Sequence, residues 1–430
     1  MRRKLKLYVL VIILIIIALI LALFYDKKVS DNYIGLQKRV PYNIGVQTHL
    51  VNGLIDVEEI RDNGFTIVRE DILWSRVETE PNKYNFNSTG YDKYNQQLIN
   101  AGIRPYYILG FSNKLYENNQ SVITNYGLQA YMKFVDHVTS RYKNQNNIWE
   151  IWNEPNNPNF WAPAFTSVEK YTQLVKMSAE IIKKNDKTGI VVAPALSGLD
   201  ETSLLWLEEA FKKGLLKYID AISVHPYRGT PPETVITDYD NLRKLIARYS
   251  KRNINIISGE WGYSTAPAFY GKELSQLQQC QYLVRMFLIN MYQNIPLSIW
   301  YDWKNDGENK DDGEQNFGIR EFNSTVTKKA AVGAKTLSTT LTGYQFFKRI
   351  DIGNKNDYFL EFHNKNGEEI YVYWSQDNDH QFILPEKIVG NGTMISMLGE
   401  STDGYFEKNQ LLTISSSPVY LKIKRDIKKS

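Results

Sequence analysis

Ile148 to Asn156 reads IWEIWNEPN. It starts as a short apolar run of the kind that forms a strand, then meets an amide, a carboxylate and a proline. Pro155 has no N–H to give to a ladder, and a carboxylate buried in a sheet needs partners. The strand therefore ends here, and Asn153 and Glu154 stand at its C-terminal end, where a cleft can open.

Working outward, the chain alternates strand-like and helix-like segments on both sides of this stretch. The strand candidates are 42–49, 65–71, 103–111, 147–154, 189–196, 218–227, 253–262 and 296–303. Helical spacing separates them. From Tyr126 to Tyr142, for example, Leu128, Tyr131, Phe134, Val135 and Val138 fall on one face, and similar patterns cover 168–184, 274–292 and 325–342. Eight strands each followed by a helix predict an α/β fold, a (β/α)8 TIM barrel over 41–342, with its chemistry at the C-terminal ends of the strands. A doubly wound open sheet would often carry a Gly-rich phosphate-binding turn after its first strand, and the segment after 42–49 has none.

The flanks differ in character. Arg2, Arg3, Lys4 and Lys6 precede the uncharged run Leu7–Tyr25, which has about the 20 residues a helix needs to cross a bilayer. A cleaved signal peptide would have a shorter apolar region and small residues at the cleavage site, whereas ALFYDKK follows here. Residues 1–28 are thus expected to be a cytoplasmic basic flank and a transmembrane signal-anchor helix. Residues 29–40 would be a linker, and the large domain would lie outside the cell at the cell membrane. Beyond 343 the runs YFLEFHN, EIYVYWS, QFILP, MISMLG, LLTIS and VYLKIK are broken by Asn, Gly, Asp and Ser. They predict a small antiparallel β-sandwich over 343–430, ending in a basic tail. Either glycan binding or capping of the barrel would suit it.

Composition removes several classes. The 430 residues are 43% hydrophobic and 23% charged, with a net charge of +4 and no basic stripe, which argues against nucleic acid as a partner. Cys280 is the only cysteine, so no internal disulfide and no cysteine metal site can form. The acidic loop 302–316 lacks EF-hand spacing and reads as a solvated loop over the cleft.

On a barrel, the strand-end polar residues share one mouth. His49, Arg69, Asn153, Glu154, His225, Tyr227, Glu260 and Trp300 all fall at such ends. Two carboxylates facing each other there suit cleavage of a glycosidic bond, in which one protonates the leaving oxygen and the other attacks the anomeric carbon. Glu154 is the candidate acid/base, with a pKa expected above that of a free Glu so that it holds its proton near neutral pH. Glu260 is the candidate nucleophile, kept ionised by Arg69 and hydrogen-bonded by Tyr227. Asn153 is placed for the sugar 2-hydroxyl, Trp300 for stacking and His225 for a hydrogen bond within the cleft. Trp152 and Trp161 are candidates to line subsites, though Trp152 suits barrel packing equally well. His49 is either a sugar ligand or a satisfied strand-end histidine. A structural ion pair between Glu260 and Arg69 is the bland alternative. Such chemistry needs no metal or organic cofactor.

These motifs resemble clan A glycoside hydrolases, the (β/α)8 retaining glycosidases, and above all their cellulase-like and β-xylosidase-like families, which include membrane-anchored exopolysaccharide hydrolases. WNEP is similar to the clan's Asn-Glu acid/base motif, at Asn153 and Glu154, and GEWG to its nucleophile motif, at Glu260. HPY matches its His-x-Tyr at His225 and Tyr227, while Arg69 and Trp300 match its strand-two Arg and strand-eight Trp. The resemblance implies retention of anomeric configuration and β-linked glycans. Strand three departs from some members, offering Tyr106, Tyr107 and Asn113 but no histidine. The expected protein is an O-glycosyl hydrolase, endo-acting on an extracellular polysaccharide, with the bilayer and exopolysaccharide export machinery as partners. A transglycosylase using the same site and a non-catalytic glycan-binding scaffold are the alternatives.

Overall fold

The computed structural model describes residues 35–53, 55–162, 167–267, 273–322 and 325–424. The expected signal-anchor (1–28) and the first half of the linker (29–34) lie outside these residues. Among the described residues, no helix is long and apolar enough to cross a membrane.

Eight parallel strands form the barrel: β1 (Ile44–Gln47), β2 (Ile67–Leu73), β3 (Arg104–Gly110), β4 (Ile148–Ile151), β5 (Ile190–Val192), β6 (Ala221–His225), β7 (Asn255–Trp261) and β8 (Ser298–Trp300). Each pairs with the next, and β8 pairs back onto β1, closing the ring. A helix follows each strand: α1 (Val57–Asp62), α2 (Tyr91–Asn100), α3 (Asn125–Arg141), α4 (Val168–Asn185), α5 (Glu201–Lys212), α6 (Val235–Tyr249), α7 (Gln276–Tyr292) and α8 (Lys329–Leu341). Asp56, Thr124, Ser167, Asp200 and Ser275 cap five of them, each side chain accepting from a backbone N–H of the first turn.

The two-residue period of the strands sorts side chains between two environments. Val46, Val68, Tyr107, Trp149, Val191, Ile222, Ile256 and Trp300 belong to the main apolar cluster with the helices. Gly45, Ile67 and Ile299 point inward, so tightly that a Cβ on Gly45 would lie 2.3 Å from Ile299 Cδ1. This parity decides which strand-end residues reach the mouth.

After the barrel come β9 (Gln345–Arg349), β10 (Asp357–His363), β11 (Glu369–Ser375), β12 (His380–Ile383), β13 (Gly390–Ser396), β14 (Ser401–Phe406), β15 (Leu411–Ile414) and β16 (Val419–Ile423). Six make an antiparallel sheet in the order β9-β10-β11-β16-β13-β14, and β12 pairs with β15 as a ribbon. Alternation again assigns the faces. Tyr358, Leu360, Phe362, Ile370, Val372 and Trp374 join the main cluster with the barrel. Phe359, Tyr371, Tyr373 and Leu421 pack with Phe382, Leu412 and Ile414 of the ribbon. Trp374 Nε1 donates to Glu233 Oε1 at 2.7 Å, and Arg285 of α7 holds the same carboxylate.

Candidate active site

Arg69 organises the barrel mouth. It is 1% exposed, on the inward parity of β2, and every arm of its guanidinium is engaged. Nε donates to Glu150 Oε2 (2.8 Å), and Nη1 to Gln47 Oε1 (2.9 Å) and Glu260 Oε2 (2.5 Å). Nη2 donates to Asn153 Oδ1 (2.7 Å) and reaches His225 Nε2 at 3.4 Å. Tyr106 Oη closes the floor by donating to the other oxygen of Glu150 at 2.7 Å. A buried guanidinium with this many acceptors is fixed in place, and it fixes them in turn.

Local backbone irregularities then aim the two glutamates. On β7, Ser258 pairs with Ser298 and Trp261 with Trp300, so Gly259 and Glu260 together face Ile299 alone. This bulge breaks the alternation, returning Trp261 to the outward core and leaving Glu260 in the mouth. Gly259 is required beneath it, because a Cβ there would fall 1.9 Å from Ser223 Oγ. After β4, Trp152 (φ 69°) and Glu154 (φ 45°) both take the left-handed conformation, unusual for bulky side chains. Trp152 is thereby turned into the core while Asn153 and Glu154 reach the cleft, and Glu154 N–H is anchored on Ala195 O at 3.0 Å.

The result is a cleft of about 610 Å³ with both glutamates in its wall. A carboxylate oxygen of Glu154, one of Glu260 and a ring nitrogen of His225 lie within 4.8 Å of one another. Tyr227 Oη donates to Glu260 Oε1 at 2.9 Å, and burial and the Glu260 charge push its phenol far above the ordinary range, keeping that proton in place. His225 Nδ1 lies 2.9 Å from Glu154 Oε1. A ring hydrogen on Nδ1 suits both neighbours, since Arg69 on the other side can only donate. Asn157 Nδ2 donates to Glu154 Oε2 at 2.9 Å.

Burial pushes the Glu154 pKa up, but the hydrogen bond and electrostatic attraction of the His225 ring N–H and the hydrogen bonds of Asn157 and Ser197 outweigh it, and the net shift is downward. This corrects the expectation of a raised Glu154. Its neighbours stabilise the carboxylate.

The other candidates divide. Arg69, Asn153, His225, Tyr227 and His49 all line the cleft. His49 Nδ1 meets Asp306 Oδ1 at 2.9 Å. Burial disfavours its charge, but Asp306, Asp302 and Glu70 overcome this and raise its pKa to about 10. Trp300, Trp152 and Trp161 are corrections: all three are at most 1% exposed, and none lines the cleft. Parity sends Trp300 outward and puts Tyr301 in the mouth instead. Trp152 packs edge-on to Trp161 at 5.0 Å and to Phe111 at 5.5 Å, beneath the loop after β4. Of the strand-three residues, Tyr106 serves Glu150, Tyr107 faces the helices, and Asn113 bonds Glu78 O at 2.8 Å. Ile108 and Phe111 are the residues from that region that line the cleft.

Sequence reasoning missed Gln47, Glu150, Asn157 and the Phe111–Phe160 pair, stacked at 5.9 Å in the cleft wall. Inward parity with Arg69 would have flagged Glu150, a carboxylate amid an apolar strand. Besides the glutamate–histidine set, His49, Asp302 and Asp306 also bring donor atoms within 4.8 Å of one another.

A parallel barrel with two glutamates from β4 and β7 meeting across its mouth defines the class of (β/α)8 glycoside hydrolase folds. The chain belongs to the cellulase family, glycosyl hydrolase family 5, whose model matches residues 45–307. It is 24% identical over 253 residues to a beta-xylosidase of Geobacillus stearothermophilus, a match covering 51% of this chain and about half (49%) of that relative. Among solved structures it resembles a family 39 glycoside hydrolase from Bacteroides cellulosilyticus WH2 (TM-score 0.74, 22% identity, 90% of this chain and 81% of that one). It also resembles a GH39 beta-xylosidase from Caulobacter crescentus (TM-score 0.65, 14% identity, 91% and 98%). A GH30 endoxylanase from Clostridium papyrosolvens C71 has the same fold (TM-score 0.61, 12% identity, 91% and 98%). The expected kinship with cellulase-like and β-xylosidase-like barrels is thus met. Its membrane-anchored aspect falls on residues outside those described.

Proposed function

We propose that the chain is a retaining glycoside hydrolase that cleaves β-linked glycans by double displacement. The observation that carries this reading is the approach of Glu154 and Glu260, with carboxylate oxygens within 4.8 Å. Retaining enzymes hold their two carboxyl groups about 5 to 5.5 Å apart, whereas inverting ones need about 6.5 to 9.5 Å to admit a water between.

In the first step Glu260 attacks the anomeric carbon, Glu154 gives its proton to the leaving oxygen, and the C–O bond breaks to leave a glycosyl ester on Glu260. Arg69 and Tyr227 hold the attacking carboxylate in line, and Asn153, its oxygen taken by Arg69, keeps an NH2 group for the sugar 2-hydroxyl. In the second step Glu154, now a carboxylate, removes a proton from water, which attacks the anomeric carbon and breaks its bond to Glu260, releasing that carboxylate. The neighbours that depress Glu154 favour the ionised form this second step requires. The first step needs the protonated form, so turnover is favoured on the acidic side. Tyr301, Phe317, Phe111 and Phe160 supply apolar faces for sugar rings.

The names of the relatives make β-1,4-xylan and xylo-oligosaccharides the first substrates to try, followed by other β-linked polysaccharides. Residues 1–28 read as an anchor holding the barrel outside the cell, where it would act on an exported polysaccharide beside its export machinery. Protease shaving of intact cells should then release the large domain. The test of function is an activity screen of the wild-type chain beside Glu154→Gln and Glu260→Gln. Both variants are expected to fold and to lose nearly all turnover, and an active Glu260→Gln removes the nucleophile assignment.

A further inference from the structure

Resting on that reading, we propose that the cleft continues into an aglycone trough ending at Trp206, which holds the leaving part of a longer chain. A second depression of about 350 Å³ adjoins the cleft and shares Asn157, Ser197 and Asp200 with it. Its far end is lined by Thr202 and Trp206 of α5. The direction follows from the chemistry. Glu154 protonates the leaving oxygen, so the leaving part of the substrate lies on the Glu154 side. Asn157, which hydrogen-bonds Glu154, is the residue where cleft and trough meet.

The trough is a built surface. Asn156 Nδ2 donates to Ser197 O (2.9 Å), and Ser197 N–H returns a bond to Asn156 Oδ1 (2.9 Å). Ser203 Oγ donates to Ser197 O (2.7 Å), and Asp200 accepts from Ser203 N–H (3.1 Å) as the cap of α5. These bonds lock the loop after β5 to the loop carrying the acid. Trp206 lies three and four residues beyond Ser203 and Thr202, hence on the same helix face, and its indole leans on Tyr171 at 5.6 Å. An indole at the end of a floor of amides and hydroxyls suits neutral, hydroxyl-rich pyranose units. Asp200, the one charge in the lining among the described residues, disfavours uronic acids there.

The test uses β-1,4-xylo-oligosaccharides of two to six units, or the same ladder from whichever β-glycan the wild type cleaves. Wild-type kcat/KM should rise with length beyond two units. Trp206→Leu, which keeps an apolar contact for Tyr171, should lose about tenfold on the hexamer, roughly one aromatic stacking contact, and less than twofold on the dimer. Thr202→Arg, at an exposed lip, should show the same length-selective loss, and turnover of the dimer verifies folding in each variant. Wild-type kinetics independent of length, or equal effects on dimer and hexamer in both variants, would overturn the trough. A wild type inactive on every β-glycan, or an undiminished Glu154→Gln, would sink the glycosidase reading instead.

Discussion

Asn157→Ala offers a quantitative probe of how the cleft tunes its acid. The substitution removes the Nδ2 donor held 2.9 Å from Glu154 Oε2, one of the contacts that pull the Glu154 pKa down, and leaves the His225 contact intact. A hydrogen bond to a charged group contributes about 1.5 to 3 kcal/mol, and water in an open cleft replaces part of it. A net loss near 1.4 kcal/mol corresponds to about one pKa unit. The sign is fixed: the lost bond stabilised the ionised form, so the folded-state pKa rises. Because Glu154 must be protonated to expel an unactivated sugar, the alkaline limb of kcat/KM should move up by about one unit. The assay is a pH profile on an oligosaccharide, repeated with a dinitrophenyl glycoside, whose leaving group needs no acid and whose alkaline limb should not move. The comparison between substrates assigns the shift to the acid. A limb that stays in place, or moves toward acid, with the oligosaccharide would refute the reasoning.

Three further outcomes follow from the same geometry. Arg69→Met leaves Glu150 buried without its cation and should cost about 3 to 5 kcal/mol in urea unfolding, with partial recovery on adding Glu150→Gln; an unchanged midpoint contradicts the network. Gly259→Ala forces a methyl against Ser223 Oγ and should cost about 1 to 3 kcal/mol, relieved in part by Ser223→Gly, as thermal melts would reveal. Trp300→Ala should destabilise by about 3 to 5 kcal/mol, whereas Tyr301→Ala should raise KM with little loss of stability; the reverse pattern would return Trp300 to the cleft.

The barrel was legible because its eight strands are short apolar runs separated by amphipathic helices, and structure and sequence agree on all eight to within a few residues. Strands β9 and β14 went unseen. β14, STDGYF, is polar and exposed except at Phe406, so it carries no apolar signal and exists by pairing with β13. Glu154 and Glu260 could be named from their motifs, but how they are aimed could not. A bulge at Gly259-Glu260 and two left-handed residues flanking Asn153 override the alternation that sequence reading relies on. The tryptophans failed for the opposite reason. Plain alternation holds at Trp300 and sends it to the helices, while the adjacent Tyr301 takes the mouth. The depressed Glu154 was likewise invisible, because its cause is the way the loop after β4 folds Asn157 back onto the carboxylate and a contact from His225 two strands away.

The spacing of the two glutamates makes its most direct prediction about stereochemistry. Proton NMR of the sugar released in the first minutes of hydrolysis, before mutarotation, reads the configuration of the new anomeric centre. Oxygens of Glu154 and Glu260 within 4.8 Å predict a β-configured first product from a β-linked substrate. An α-configured first product would mean that water attacks directly, and would contradict the assignment of Glu260 as nucleophile.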